Sequence, residues 1–433
     1  MPVLTPQTNV SNGWFNTLGE LPAPRCLSRV RTAEWLVIGA GICGLTFARR
    51  LAELMPDEDI VVVEACRVGY GTSGRNAGFM LSHHCHGGFH DFDVARRDDV
   101  LLSAGYRALQ QTVQQHQIRC DWTEWGQIYV AAGPPADAQL DEISEGFATL
   151  GVDNRYVDPD ELEDLTGTRF YCRGVRVGDS ALVQPAAMMR GLAATLPANV
   201  TVYENTPVEA LLRDGDFRAV CARGEVQARQ VVLANSFYAE QLGFRRRRVA
   251  PVSTFASLSQ VLTAEQRRVT GKPDQFGLLP AHKNGCTVRR TLDGRLLMRN
   301  TTAFAREPDY SEGLLHEVRA NHLSSIESRW PELAGIELEA TWGGVLGFTR
   351  NDGKVFGALG EGLYVLMPTD TAPMTRGTVM GTCLAEQIGG VDSEPLRILN
   401  SLPDAAWVPP DFLLRWFTER QISKFARLAP GER

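Results

Sequence analysis

Apolar residues along this chain fall into two periodicities. Trp35-Leu36-Val37-Ile38 is an unbroken apolar run ending in glycines, and Ile60-Val61-Val62-Val63 is a second, ending at Glu64. Between them, Ile42 to Leu54 carries apolar residues at helical spacing. Uninterrupted apolar strands suit a sheet covered on both faces, so strand, tight turn, helix and strand predict a parallel βαβ unit. Gln230-Val231-Val232-Leu233-Ala234 and Gly362-Leu363-Tyr364-Val365-Leu366 read as two more buried strands far downstream. Their dispersal predicts returns to the same sheet, with the intervening segments building a second domain. Alternating runs from Gly285 to Arg290 and from Arg295 to Arg299 flank Asp293-Gly294. An Asp-Gly between alternating runs predicts a hairpin, and so antiparallel sheet in the second domain.

With 433 residues the chain exceeds what one core usually supports, which agrees with two domains. Its net charge of −7 argues against nucleic acid as the main partner, because a phosphate backbone needs a basic face. The run Arg245-Arg246-Arg247-Arg248 is a local exception and reads as a solvated face. Nine cysteines are scattered without a C-x-x-C pair, the usage of reduced thiols in a cytoplasmic protein. The N-terminus lacks a signal peptide's basic start and apolar core, and no apolar run is long enough to span a bilayer. A cytoplasmic protein with no integral membrane segment is expected.

Gly39-Ala40-Gly41-Ile42-Cys43-Gly44 is G-x-G-x-x-G, placed between the first strand and the helix. Glu64 ends the second strand 20 residues beyond Gly44. Glycines at this spacing let backbone approach a pyrophosphate at the helix N-terminus, while the acid accepts from ribose hydroxyls. A dinucleotide site is predicted. The continuation, Ala65 to Gly78 with Thr72-Ser73-Gly74-Arg75-Asn76-Ala77-Gly78, resembles the D-amino-acid oxidase/glycine oxidase (DAO) family of FAD enzymes. It looks most like the γ-glutamylputrescine oxidase branch. The resemblance recurs at Asp179 to Pro185, Thr206 to Ala210, Val231 to Asn235 and Trp342 to Thr349.

That resemblance implies an α/β fold with an interleaved, Rossmann-like FAD-binding domain of the glutathione-reductase type, and a substrate domain with an antiparallel sheet. The FAD-binding part is expected from 30–90, 151–243 and 335–392. Residues 91–150 and 244–334 then form the substrate part, flanked by extensions at 1–29 and 393–433. Cofactor contacts are implied for Gly39, Ala40, Gly41, Ile42, Gly44, Glu64, Ala65, Thr72, Ser73, Gly74, Arg75, Asn76, Ala77, Gly78, Val208, Ala234, Asn235, Thr371 and Met374. The implied chemistry is oxidation of a C–N bond to an imine by hydride transfer to flavin.

His83, His84, Cys85, His86 and His90 crowd the chain just after this loop. Adjacent histidines point in different directions and lack the dispersed spacing of zinc sites, so no metal is expected. A loop lining the flavin and the cavity mouth is the favoured reading, with FAD held non-covalently. His83, His84, Arg289, Arg299, Trp342 and Arg350 are the substrate-cavity candidates. Glycine oxidase-type members hold the substrate carboxylate with an arginine at the position of Leu346. Arg289, Arg299 or Arg350 could substitute. The absence still tilts the expectation toward a small-molecule primary or secondary amine, polyamine-like or an N-substituted amine or amino acid. Its reacting carbon then bears no carboxylate, or its acid group lies further off. Relatives also carry glycines where this chain has Pro368, Thr371 and Pro373, ahead of a helix expected over 375–388. A proline there removes an N–H that would face the flavin, leaving two rival readings: a flavin-binding module with blunted redox activity, and a dehydrogenase using a non-oxygen acceptor. The amphipathic Phe412 to Phe417 stretch could touch a partner or a membrane surface, and packing on the protein's own core is the favoured reading.

Overall fold

The computed structural model describes residues 12–84, 89, 91–244, 247–306 and 310–432. Cys85, His86, His90, Arg245 and Arg246 lie outside these. The βαβ unit forms as the sequence predicts: strand Arg31–Ile38, helix Ile42–Leu54 and strand Ile60–Val63. Arg31–Ile38 pairs in parallel with Ile60–Val63 on one side and with Gly224–Leu233 on the other. Val200–Tyr203 extends the sheet beyond Ile60–Val63, and Leu363–Met367 runs parallel to the end of Gly224–Leu233. Side chains from Trp35 to Ile38 alternate between two cores. Trp35 and Val37 pack with the Ile42–Leu54 and Pro373–Gly389 helices, whereas Leu36 and Ile38 pack with Val208, Phe217, Val231 and Leu233. Cover on both faces is why this strand reads as continuously apolar.

A second eight-stranded sheet runs in the order Leu338–Phe348, Ala250–Ser259, Leu296–Phe304, Thr287–Arg290, Phe276–Pro280, Gln127–Ala131, Arg173–Val177, Asn154–Val157. Every pairing in it is antiparallel except Phe276–Pro280 with Gln127–Ala131. The expected hairpin is present, Thr287 facing Arg299 and Arg290 facing Leu296 across the Asp293-Gly294 turn. Three strands cross the expected division of the chain. Asn154–Val157, Arg173–Val177 and Leu338–Phe348 fall in segments assigned by sequence to the dinucleotide part, yet belong to the second sheet. Asn154–Val157 is short and mostly solvent-facing, so its pattern gave no core signal.

The eight described cysteines are free thiols. Among the described residues no helix is long and apolar enough to cross a membrane. The C-terminal stretch departs from expectation: it forms helix Asp411–Leu428, in which no residue is buried. Its outward aromatic residues have no core to enter, because the sheet beneath is already covered by its half-buried side.

Since both faces of Arg31–Ile38 are covered, Leu36→Ala and Val37→Ala should each destabilise the protein. The expected cost is more than about 1 kcal/mol for either and about 2–5 kcal/mol for the leucine. Urea denaturation measures this; a cost within about ±0.5 kcal/mol for either one would mean that its face is open to water.

Candidate dinucleotide cleft

The turn between the first strand and its helix is closed by backbone contacts that tolerate no side chain. Gly39 sits at φ +107°, and a Cβ there would lie 2.7 Å from the Ala234 carbonyl oxygen. At Gly44 a Cβ would lie 1.9 Å from the Gly39 carbonyl oxygen. The Gly39 N–H donates to Val63 O at 2.8 Å, and the Ala234 N–H donates to Ile38 O at 2.9 Å. Three parallel strands therefore end together, at the carboxyl edge where α/β sheets place ligands. Glu64 accepts from the Ala40 N–H at 2.9 Å and the Cys66 N–H at 3.0 Å. Burial raises the Glu64 carboxyl above its ordinary value, against the pull of those amides.

The glycine-rich loop beside this turn is held by its carbonyls. Asn12 Nδ2 donates to Gly69 O, Tyr70 O and Gly74 O at 3.3–3.4 Å. The Trp14 indole donates to Asn76 O at 2.8 Å, and the Trp342 indole donates to Arg75 O at 3.0 Å. Arg289 donates to Ala77 O and Gly78 O at 3.3 Å and also to Val183 O. Within the loop, Asn76 donates to Ser73 O and accepts from the Gly78 N–H. Arg75 donates to Tyr70 O at 2.7 Å and reaches Gly343 O of the second sheet at 3.1 Å. Ser73 Oγ accepts from the Ile42 N–H, the first of the helix, at 3.0 Å.

Between the turn, the loop and the Leu338–Phe348 strand lies an open cleft. Of the expected cofactor residues, Gly39, Gly41, Ile42, Glu64, Ala65, Thr72, Ser73, Arg75, Val208, Ala234, Asn235 and Met374 line it. Ala40, Gly44, Gly74, Asn76, Ala77, Gly78 and Thr371 do not; the glycines and Asn76 shape the backbone behind the lining. Leu346, Pro368 and Pro373, which the sequence puts at the carboxylate-anchor position and the flavin edge, also line the cleft, as do Tyr238 and Tyr310, which it does not single out. Tyr310 comes from a region with no motif and only the folded chain brings it here, whereas Tyr238 closely follows the Val231 to Asn235 motif. Two polar atoms of the lining, Arg75 Nη2 and Asn235 Oδ1, are buried with no hydrogen-bond partner among the described residues. A donor and an acceptor left open fit a group that offers both, as a dinucleotide does.

None of the six substrate-cavity candidates lines this cleft. Arg289 is 1% exposed and spends its Nη1 on carbonyls, stacked over the Trp14 ring at 5.2 Å. Burial pulls its pKa down to about 10. Trp342 is fully buried behind the loop. Arg299 donates to Thr287 Oγ1 within the second sheet, and Arg350 is exposed in the turn after Leu338–Phe348. His83 pairs with Asp99, and His84 bridges Tyr129 and Thr371. Among the described residues no group of three or more His, Cys, Asp or Glu is placed to hold a metal ion.

Because an added methyl at Gly44 must push the helix off the Gly39 carbonyl, Gly44→Ala should destabilise the protein by about 1–3 kcal/mol or more. A urea midpoint equal to the parent's would show that the helix and turn can separate freely.

The family model described as "FAD dependent oxidoreductase" (DAO) matches residues 34–387. The γ-glutamylputrescine oxidoreductase of Escherichia coli K12 is 25% identical over 389 residues, spanning 86% of this chain and 87% of that protein. A glycine oxidase from Bacillus cereus superposes with a TM-score of 0.70 at 16% identity, over 87% of this chain and all of the other. Iminodiacetate oxidase from Chelativorans superposes with a TM-score of 0.67 at 18% identity, over 86% and 100%. The last two show the fold. With the family model spanning most of its length, the chain belongs to the DAO family of FAD-dependent oxidoreductases.

Proposed function

We propose that this enzyme oxidises the C–N bond of an amine whose reacting carbon bears no carboxylate. One observation carries the reading: Leu346 lines the cleft, while Arg289, Arg299 and Arg350 are placed elsewhere. An α-carboxylate is normally read by a bidentate arginine, and a leucine offers it nothing. The name of the Escherichia coli relative, γ-glutamylputrescine oxidoreductase, points to the same class of substrate. FAD, when bound, supplies the two-electron acceptor. The Gly39–Gly44 turn, Glu64, Arg75 and Asn235 would hold it.

Leu346, Val345, Leu366 and Met374 give the cleft an apolar stretch that keeps water from an amine. An alkylamine has a free pKa of about 10 and must be neutral to be oxidised. Desolvation disfavours its cation, so an apolar wall does part of a base's work. The helix Pro373–Gly389 begins at the cleft with a proline, which has no N–H to give. Its start is therefore poorer in donors than a glycine-bearing one, an observation that favours the second reading of a flavin module with weakened redox activity.

Anaerobic bleaching of the flavin absorbance against polyamines, N-methyl amines and α-amino acids tests the proposal. Amines lacking an α-carboxylate should bleach it fastest. Bleaching by α-amino acids alone would overturn the substrate class, and no bleaching by any compound would favour the module. Thr371→Gly/Pro373→Gly should raise the flavin midpoint potential and tighten sulfite binding, by about 1–3 kcal/mol for one restored donor. An unchanged potential would mean that this helix start does not face the ring.

A further inference from the structure

The Asp411–Leu428 helix presents two unlike halves to solvent. Its inner side, Leu414, Thr418, Ile422, Phe425 and Ala426, is half-buried over the second sheet. Arg415 stacks on Phe304 at 5.5 Å, Phe425 meets His282 edge-on, and Arg306 pairs with Asp411 at 3.1 Å. These contacts fix the helix and decide which side faces out. On the outer side the first half is aromatic and apolar: Phe412 is 72% exposed, Trp416 51% and Phe417 50%, with Leu413 beside them. Trp407, just ahead of the helix, is also exposed and lies under the Arg247 guanidinium at 6.0 Å. Single exposed apolar residues are ordinary, but a contiguous aromatic patch marks an interaction surface.

The second half of the same outer side is basic, with Arg420, Lys424 and Arg427 exposed and Arg420 stacked on Trp416 at 5.3 Å. The helix carries four cations, Arg415, Arg420, Lys424 and Arg427, against Asp411 and Glu419, in a chain whose net charge is −7. A locally basic, aromatic helix on an acidic protein calls for an anionic counterpart. A second copy would bring these cations against their own kind, whereas a sheet of phosphates accepts all of them. Tryptophan and phenylalanine sit well at a headgroup boundary, and stable peripheral anchoring needs two signals, apolar insertion and charge. Both are on one face of this helix.

We propose that the Asp411–Leu428 helix docks the protein on an anionic lipid surface, with Phe412, Trp416 and Phe417 inserted and Arg420, Lys424 and Arg427 on phosphates. The test is co-sedimentation of the flavin-loaded, full-length protein with vesicles of phosphatidylglycerol and phosphatidylcholine, or of phosphatidylcholine alone. Binding is expected to the anionic vesicles and should fall as salt rises. Trp416→Ser/Phe417→Ser should weaken it roughly tenfold or more, and Arg420→Gln/Lys424→Gln/Arg427→Gln by about fivefold for each charge removed. Flavin content and urea midpoint of both variants, matched to the parent, certify the fold, since every altered side chain is exposed. No sedimentation with anionic vesicles at low salt would overturn the proposal, as would binding that neither variant changes. A dimer by light scattering that Trp416→Ser/Phe417→Ser converts to monomer, without vesicle binding, would assign the patch to a second copy instead.

Discussion

The cleft depends on how the carbonyls of the Gly69–Gly78 loop are satisfied. A loop so rich in small residues has little side-chain bulk to set its path, and its backbone entropy in the unfolded chain is high. Here its path is set from outside: Asn12 and Trp14 from the N-terminal arm, Arg289 and Trp342 from two strands of the second sheet. Each donates to a loop carbonyl. With the carbonyls turned toward these donors, the loop can approach a ligand with its remaining backbone. The two sheets are thereby tied across the cleft, and Arg75 adds the reverse tie by donating to Gly343 of the second sheet.

The arrangement carries an electrostatic cost. Arg289 is buried, and its hydrogen bonds go to carbonyl oxygens of the loop and of Val183. A guanidinium tolerates this better than an ammonium, because it is weakly hydrated, stacks on the Trp14 ring and presents a planar fork of donors. Asp121 and Asp293 stabilise its charge from further off, but burial outweighs them. A residue that looks in sequence like a carboxylate reader is committed to holding the wall of the site.

The first βαβ unit was legible because its signals are local: an apolar run, a glycine turn, helical spacing and an acid at a fixed distance. The helix boundaries Ile42 and Leu54 and the strand Ile60–Val63 coincide with the sequence reading for that reason. The lining contributed by Tyr310 was not legible, since nothing near it signals a ligand, while Tyr238 lies close enough to Asn235 to have been found from it. Nor were the roles of Arg289 and Trp342, whose partners lie some 200–270 positions away. The C-terminal helix is legible as a helix, but its amphipathic spacing alone favours a core-facing side that the fold does not provide. Burial depends on what else already covers the sheet, and a sequence window does not contain that.

Interleaving also orders events in time. Gly224–Leu233 has one long partner early in the chain, Arg31–Ile38, while its end waits for Leu363–Met367, about 130 residues later. At about 5–20 residues per second of synthesis, that strand end stays uncovered on the ribosome for roughly 7–26 s. The Pro373–Gly389 helix that covers one face of the sheet emerges later still. For that interval the nascent chain exposes an apolar strand end, Val231-Val232-Leu233, with unpaired backbone donors and acceptors on one side. A strand end left open in this way is a template for pairing with another chain, so covering it quickly matters to this interleaved fold.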